Sequence, residues 1–104
     1  MSDLMLDTSL AGFEKKATVA AAMLKALGNE KRLMILCKLL EHGEMSVMAL
    51  TTHVGLSQSA LSQHLAKMRE EKLVGTRRDA QQIFYHVSDP RVRDILATLK
   101  SVYC

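Results

Sequence analysis

The stretch "LSQSALSQHLAKMREEKLVGTRRDAQQIFYHV", residues 56–87, changes its apolar period once, and that change decides the fold. In its first half Leu61, Leu65 and Met68 recur at helical spacing, so they pack inward from an amphipathic helix. In its second half Ile83, Tyr85 and Val87 alternate with Gln82, Phe84 and His86, the period of a strand. "VGTRR" (74–78) precedes it and a polar "DAQQ" (79–82) joins the two. The segment is therefore expected to be a two-stranded hairpin, without the Asn-Gly or Asp-Gly pair that favours such turns.

The outward face of that helix is unusual. Ser57, Gln58, Ser59, Ser62 and Gln63 are short or amide-bearing, the imidazole of His64 adds a further hydrogen-bonding group, and fixed charge begins only at Lys67. Small side chains let a helix approach closely, amides and hydroxyls match the edges of bases, and the positive helix terminus suits phosphate. A solvated face is the competing explanation, but such a face carries Glu and Lys along its whole length. Arg77, Arg78, Gln81 and Gln82 are expected at the hairpin tip, in reach of DNA backbone or minor groove.

Upstream, "SVMALTTHV" (46–54) stops at Gly55, and "LSQ" leads into the longer helix, the helix, short turn, helix order of a DNA reader. Gly28, Gly43, Gly55 and Gly75 each follow an apolar-periodic run, which sets helices over about 14–27, 30–41, 46–54 and 57–74. The first presents Ala20, Met23, Leu24 and Leu27 on one face, and Asn29 caps the second. Asp89 and Pro90 open a fifth helix over 89–103. The expected architecture is mainly α with a small β-hairpin, a winged helix-turn-helix over residues 14–104. Residues 1–13 are expected to be a mobile tail.

A chain of 104 residues suffices for one domain whose core needs no metal or disulfide. It has two cysteines far apart, no signal-peptide pattern and no apolar run long enough for a bilayer, so a reducing cytoplasmic setting with no membrane partner is expected. The net charge of +3 is uneven, because Asp3, Asp7 and Glu14 leave the rest of the chain more basic than the total. Lys67, Arg69, Lys72, Arg77 and Arg78 cluster between positions 67 and 78, which favours a polyanion.

"LGNEKRLMILCKLL" (27–40), "LSQSALSQHLAKMR" (56–69) and "RRDAQQIFYHV" (77–87), in that order and spacing, resemble the ArsR (SmtB/ArsR) winged-helix repressors, over about residues 18–104. The resemblance implies a homodimer built by the first and last helices, binding an inverted repeat of double-stranded DNA and releasing it when an inducer is sensed. Val92, Ile95, Leu96 and Leu99 give the last helix an apolar stripe that serves either such a dimer or the chain's own core.

The inducer is narrowed by what stands at the family's metal positions. Ser46 and Met48, in "EMSVMAL" (44–50), occupy the places where arsenite- or cadmium-sensing relatives carry Cys-x-Cys. The last helix offers Asp89 and Asp94 but no histidine, with Arg91 and Arg93 between them. His42, His53, His64 and His86 fall on separate elements, and the seven methionines lack clustered spacing. No metal site and no cofactor are expected.

Cys37 shares a helical spacing with Leu33, Leu36 and Leu40, where a cysteine can be simply a small hydrophobe. Cys104 follows "SVY" at a position that packs little, and the two elements can meet in this fold. The pair resembles the branch of the family that senses reactive sulfur, which implies a dithiol converted by persulfides or oxidants to a disulfide or polysulfide bridge. Two alternatives stay open: a metal-responsive repressor, and a DNA-binding regulator whose cysteines are incidental. Catalysis is not expected, since neither thiol has a Cys-x-x-Cys or helix N-terminal setting.

Overall fold

Asn29, Ser46 and Ser57 each stand in extended backbone, and their side-chain oxygens accept hydrogen bonds from the backbone N–H of Arg32 (3.0 Å), Ala49 (3.2 Å) and Ala60 (3.1 Å). Each bond satisfies a donor that the first helical turn leaves unpaired. They start α2 (Glu30–His42), α3 (Val47–Val54) and α4 (Gln58–Glu70). Asp89 does the same for α5 (Pro90–Tyr103), accepting from Arg91 N at 2.9 Å. The computed structural model describes residues 2–104, with side-chain surroundings from Gly12 onward.

The first helix, α1, spans Ser2–Leu27 and so begins well before the expected residue 14. Residues 2–13 of the expected mobile tail are therefore helical, while Met1 and the side chains before Gly12 lie outside the described residues. Its inward face also differs. Met23, Ala26 and Leu27 are buried, while Leu24 is 63% exposed. Ala26, two positions further on, is inside in its place.

Strands β2 (Val74–Asp79) and β3 (Gln82–Val87) form the expected hairpin, in register from Val74 opposite Val87 to Asp79 opposite Gln82. A further strand, β1 (Met45–Ser46), pairs antiparallel with β3 and makes the sheet order β1-β3-β2. The turn needs no glycine, because Ala80 takes a positive φ of 56°. Helix α4 ends at Glu70 rather than at 74, with Lys72 taking the left-handed conformation at φ 64°. Gly75 is therefore inside β2 and caps nothing. It faces His86 across the ladder, and a Cβ there would lie 2.9 Å from Nε2. Gly55, at φ 67°, does close α3 and admits the sharp turn into α4.

These elements enclose one core. Ile35, Leu36 and Leu39 of α2, Leu50 of α3, Leu61, Leu65 and Met68 of α4, and Val92 of α5 are fully buried together. Val92 and Leu96 are thus spent on the chain's own interior, while Ile95 and Leu99 are only partly covered. Among the described residues no helix is long and apolar enough to cross a membrane.

Candidate functional site

Burying Leu61, Leu65 and Met68 fixes the rotation of α4 about its axis, and with it what faces out. Ser57, Gln58, Ser59, Ser62, Gln63 and Lys67 are exposed along one side. Lys67 leans toward Glu70 at 3.7 Å, so the uncharged part of the face is the first two turns. His64 stands apart from this set. It is half-buried, and its Nδ1 accepts a hydrogen bond from Arg32 Nε at 3.5 Å.

The hairpin follows α4 in the chain and contacts it through β2. Its tip is Asp79–Gln82, so Gln81 and Gln82 are at or next to the turn while Arg77 and Arg78 lie lower on β2. The two arginines leave opposite faces of the strand, and only one is engaged. Arg77 donates to both carboxylate oxygens of Glu44, with Nε to Oε2 at 3.2 Å, and its guanidinium lies 4.9 Å from the centre of the Phe84 ring. That bond from Arg77 holds the Glu44 carboxyl below its ordinary range. Arg78 is exposed and forms no ion pair among the described residues.

Cys37 is not on the buried stripe. The inward residues of α2 are Ile35, Leu36 and Leu39, which turns Cys37 outward and leaves it exposed, as Cys104 is. Both are free thiols, and both line one groove of about 880 Å³ between α2 and α5. Leu33, Leu40, Leu96 and Leu99 supply its apolar lining, with Glu41, Arg93 and Lys100 as its charged groups. Residues 67 positions apart in sequence thus line one groove, with walls from α2 and α5.

A polar link joins the thiol-bearing helix to α4. Besides His64, Arg32 of α2 reaches the Ala26 carbonyl at 3.4 Å and Glu71, just past α4, at 3.4 Å. Burial, reinforced by the Arg32 charge, lowers the His64 pKa below the usual imidazole value of about 6.5. A folded-state pKa below the unfolded one means the unfolded chain binds more protons, so this contribution to stability is complete above pH 6.5 and is lost as pH falls through and below it. Urea unfolding at pH 7 and at pH 5 is expected to show a smaller difference in His64→Gln than in the parent.

Two histidines on separate elements do come together. The rings of His42 and His53 are 5.1 Å apart, a proximity that no sequence spacing announced. Among the described residues no group of three or more His, Cys, Asp or Glu side chains is arranged to hold a metal. Ser46 is the α3 cap, Met48 is exposed, and Asp89 is tied to Arg91 at 2.7 Å.

Comparison with known proteins places this geometry in context. Residues 29–76 match the family described as "Bacterial regulatory protein, arsR family". The chain is 50% identical to the HTH-type transcriptional regulator YgaV of Escherichia coli K12, over 93% of this chain and 98% of that protein. Among solved structures, it is similar to reduced HlyU from Vibrio cholerae N16961, with 47% identity, a TM-score of 0.81 and coverage of 89% and 97% of the two chains. It is similar also to the transcriptional repressor BigR from Xylella fastidiosa, with 38% identity, a TM-score of 0.86 and coverage of 90% and 95%.

Proposed function

Because the chain belongs to the arsR family of bacterial regulatory proteins, a family of winged-helix transcriptional regulators that bind DNA, we propose that its own signal is sulfur chemistry at Cys37 and Cys104. In this proposal a homodimer binds an inverted repeat in a promoter, and persulfides or other reactive sulfur species release it. The observation that carries the proposal is that two exposed free thiols, one on α2 and one at the end of α5, line a single groove. The similarity to a protein solved as reduced HlyU is consistent with a redox-dependent state.

The chemistry balances with a persulfide as oxidant. The Cys37 thiolate attacks the outer sulfur of R–S–SH, the donor S–S bond breaks, and R–S⁻ leaves to take up a proton as R–SH. Cys104 then attacks the inner sulfur of the new Cys37 persulfide and expels hydrogen sulfide, leaving a disulfide. The protein dithiol loses two electrons, and the donor gains them as R–SH and H₂S. If both cysteines are persulfidated first, the same displacement gives a bridge with one added sulfur, which spans more than the roughly 7 Å between alpha carbons that a plain disulfide tolerates.

DNA binding is assigned to Ser57, Gln58, Ser59, Ser62 and Gln63 in the major groove, with Lys67 on phosphate. Arg78, Gln81 and Gln82 of the hairpin reach the flanking backbone or minor groove. His64, half-buried against Arg32, and Arg77, bonded to both carboxylate oxygens of Glu44, serve instead as supports. Partnership of two chains fits the exposed apolar side chains on the first and last helices, Val19 and Leu24 on α1 and Val102 and Tyr103 on α5.

Mass spectrometry after persulfide exposure tests the switch, with a peptide containing Cys37 joined to one containing Cys104 as the expected product. Unmodified thiols after that exposure would refute it. Operator titrations over a range of salt test the hairpin assignment. Arg78→Ala is expected to lower the slope of log affinity against log salt by about 1, the signature of one lost phosphate contact. Arg77→Ala is expected to change that slope less, because its charge is already met by Glu44.

A further inference from the structure

We propose that the groove between α2 and α5 selects organic persulfides that carry carboxylates, with Arg93 and Lys100 holding those carboxylates while Cys37 receives the sulfur. This rests on the thiol-switch reading above and names the class of donor that the switch takes.

Size comes first. A cleft of about 880 Å³ lies in the range that accommodates a peptide- or drug-sized molecule, far more than hydrogen persulfide or a peroxide would occupy. Its lining is chemically divided. Leu33, Leu40, Leu96 and Leu99 offer apolar walls, and Arg93 and Lys100 stand on α5 seven positions apart. Seven residues are two helical turns, a rise of about 10 Å, so the two cations are spaced for two separate anionic groups on one molecule rather than for a single small anion.

Charge complementarity points to the same donor. Among the described residues neither Arg93 nor Lys100 forms an ion pair, whereas the one acid of the groove, Glu41, is already engaged. Lys38 donates to Glu41 at 3.3 Å. Arg93 and Lys100 are both exposed beside the apolar walls, so they present two unpaired positive charges to an entering carboxylate. A donor with carboxylates at both ends would lie along α5 with its sulfur between them, and Cys37 and Cys104 line that same cleft.

Glutathione persulfide and its dimethyl ester test the idea, since the two differ only in their carboxylates. Rates of sulfur addition to Cys37, followed by mass spectrometry at low salt, are expected to favour the charged donor about tenfold, with the preference shrinking as salt is raised. Replacing both cations, as Arg93→Gln with Lys100→Gln, is expected to bring the two donors to equal rates, and Lys100→Gln alone to give an intermediate preference. Labelling by iodoacetamide, which is neutral, is expected to proceed at the parent rate in both variants, showing that fold and thiol are intact. Equal rates for charged and esterified donor in the parent would overturn the selectivity proposal while leaving the switch standing. No added sulfur from either donor would remove the switch itself. A matching fall in iodoacetamide rate in the double variant would show the cations acting on the thiol rather than on the donor, and would also overturn the proposal.

Discussion

Persulfide-treated parent protein is expected to bind its operator about 5- to 150-fold more weakly than reduced protein, and Cys37→Ser is expected not to respond at all. That range corresponds to a coupling of about 1 to 3 kcal/mol, the usual size of the coupling between two linked sites. The geometry supplies a route for it. Cys37 and Arg32 sit on the same helix, and Arg32 holds both His64 on the inner side of α4 and Glu71 just beyond its end. A bridge that pulls α2 toward the end of α5 would shift the base on which α4 is seated. In a two-fold dimer the recognition helices must meet half-sites about 34 Å apart, so a small change of seat in each chain misplaces both.

Fluorescence anisotropy on labelled operator, before and after treatment, reads the effect directly, and dithiothreitol is expected to restore the starting affinity. A Cys37→Ser protein that loses affinity as the parent does would separate the response from this thiol. Cys104→Ser gives a sharper distinction. Without the second thiol, Cys37 can still be persulfidated but cannot be bridged, so sulfur addition should persist while the loss of affinity disappears.

The sequence carried the fold where a period was long enough to count. The spacing of Leu61, Leu65 and Met68 over α4 and the alternation of Ile83, Tyr85 and Val87 over β3 were both visible, and the former three are fully buried. Strand β1 was not visible, because two residues have no period and Met45–Ser46 becomes a strand only through its pairing with Tyr85 and Phe84. The end of α4 was placed too late for a related reason. Leu73 and Val74 continue an apolar run, yet they are buried after the chain has turned at Lys72, a non-glycine residue in a left-handed conformation. At the site, helical spacing grouped Cys37 with its leucine neighbours but could not say which side of α2 faced inward. The ion pair of Glu44 and Arg77, the bond from Arg32 to His64 and the contact of His42 with His53 are all long-range in sequence. Each depends on tertiary packing that no local pattern encodes.

Gln63→Ala is expected to cost the protein more in operator binding than any change to the hairpin. Gln63 is exposed on the second turn of α4, and its amide has the paired donor and acceptor that match the N6 and N7 edge of adenine. Losing such a contact costs about 1 to 3 kcal/mol of discrimination at one base pair, a factor of about 5 to 150 in each half-site. In the proposed dimer on an inverted repeat the contact is lost twice, so the fold-changes multiply. Stability cannot be the cause of a loss, because alanine is the better helix former and the side chain is not in the core. The assignment makes a second demand that a phosphate contact would not meet. Against operators changed at single positions, Gln63→Ala is expected to lose preference at one base pair per half-site, whereas Lys67→Ala is expected to weaken all sequences alike and lower the salt slope. Equal weakening of every operator by Gln63→Ala would move this residue from reading bases to positioning the helix.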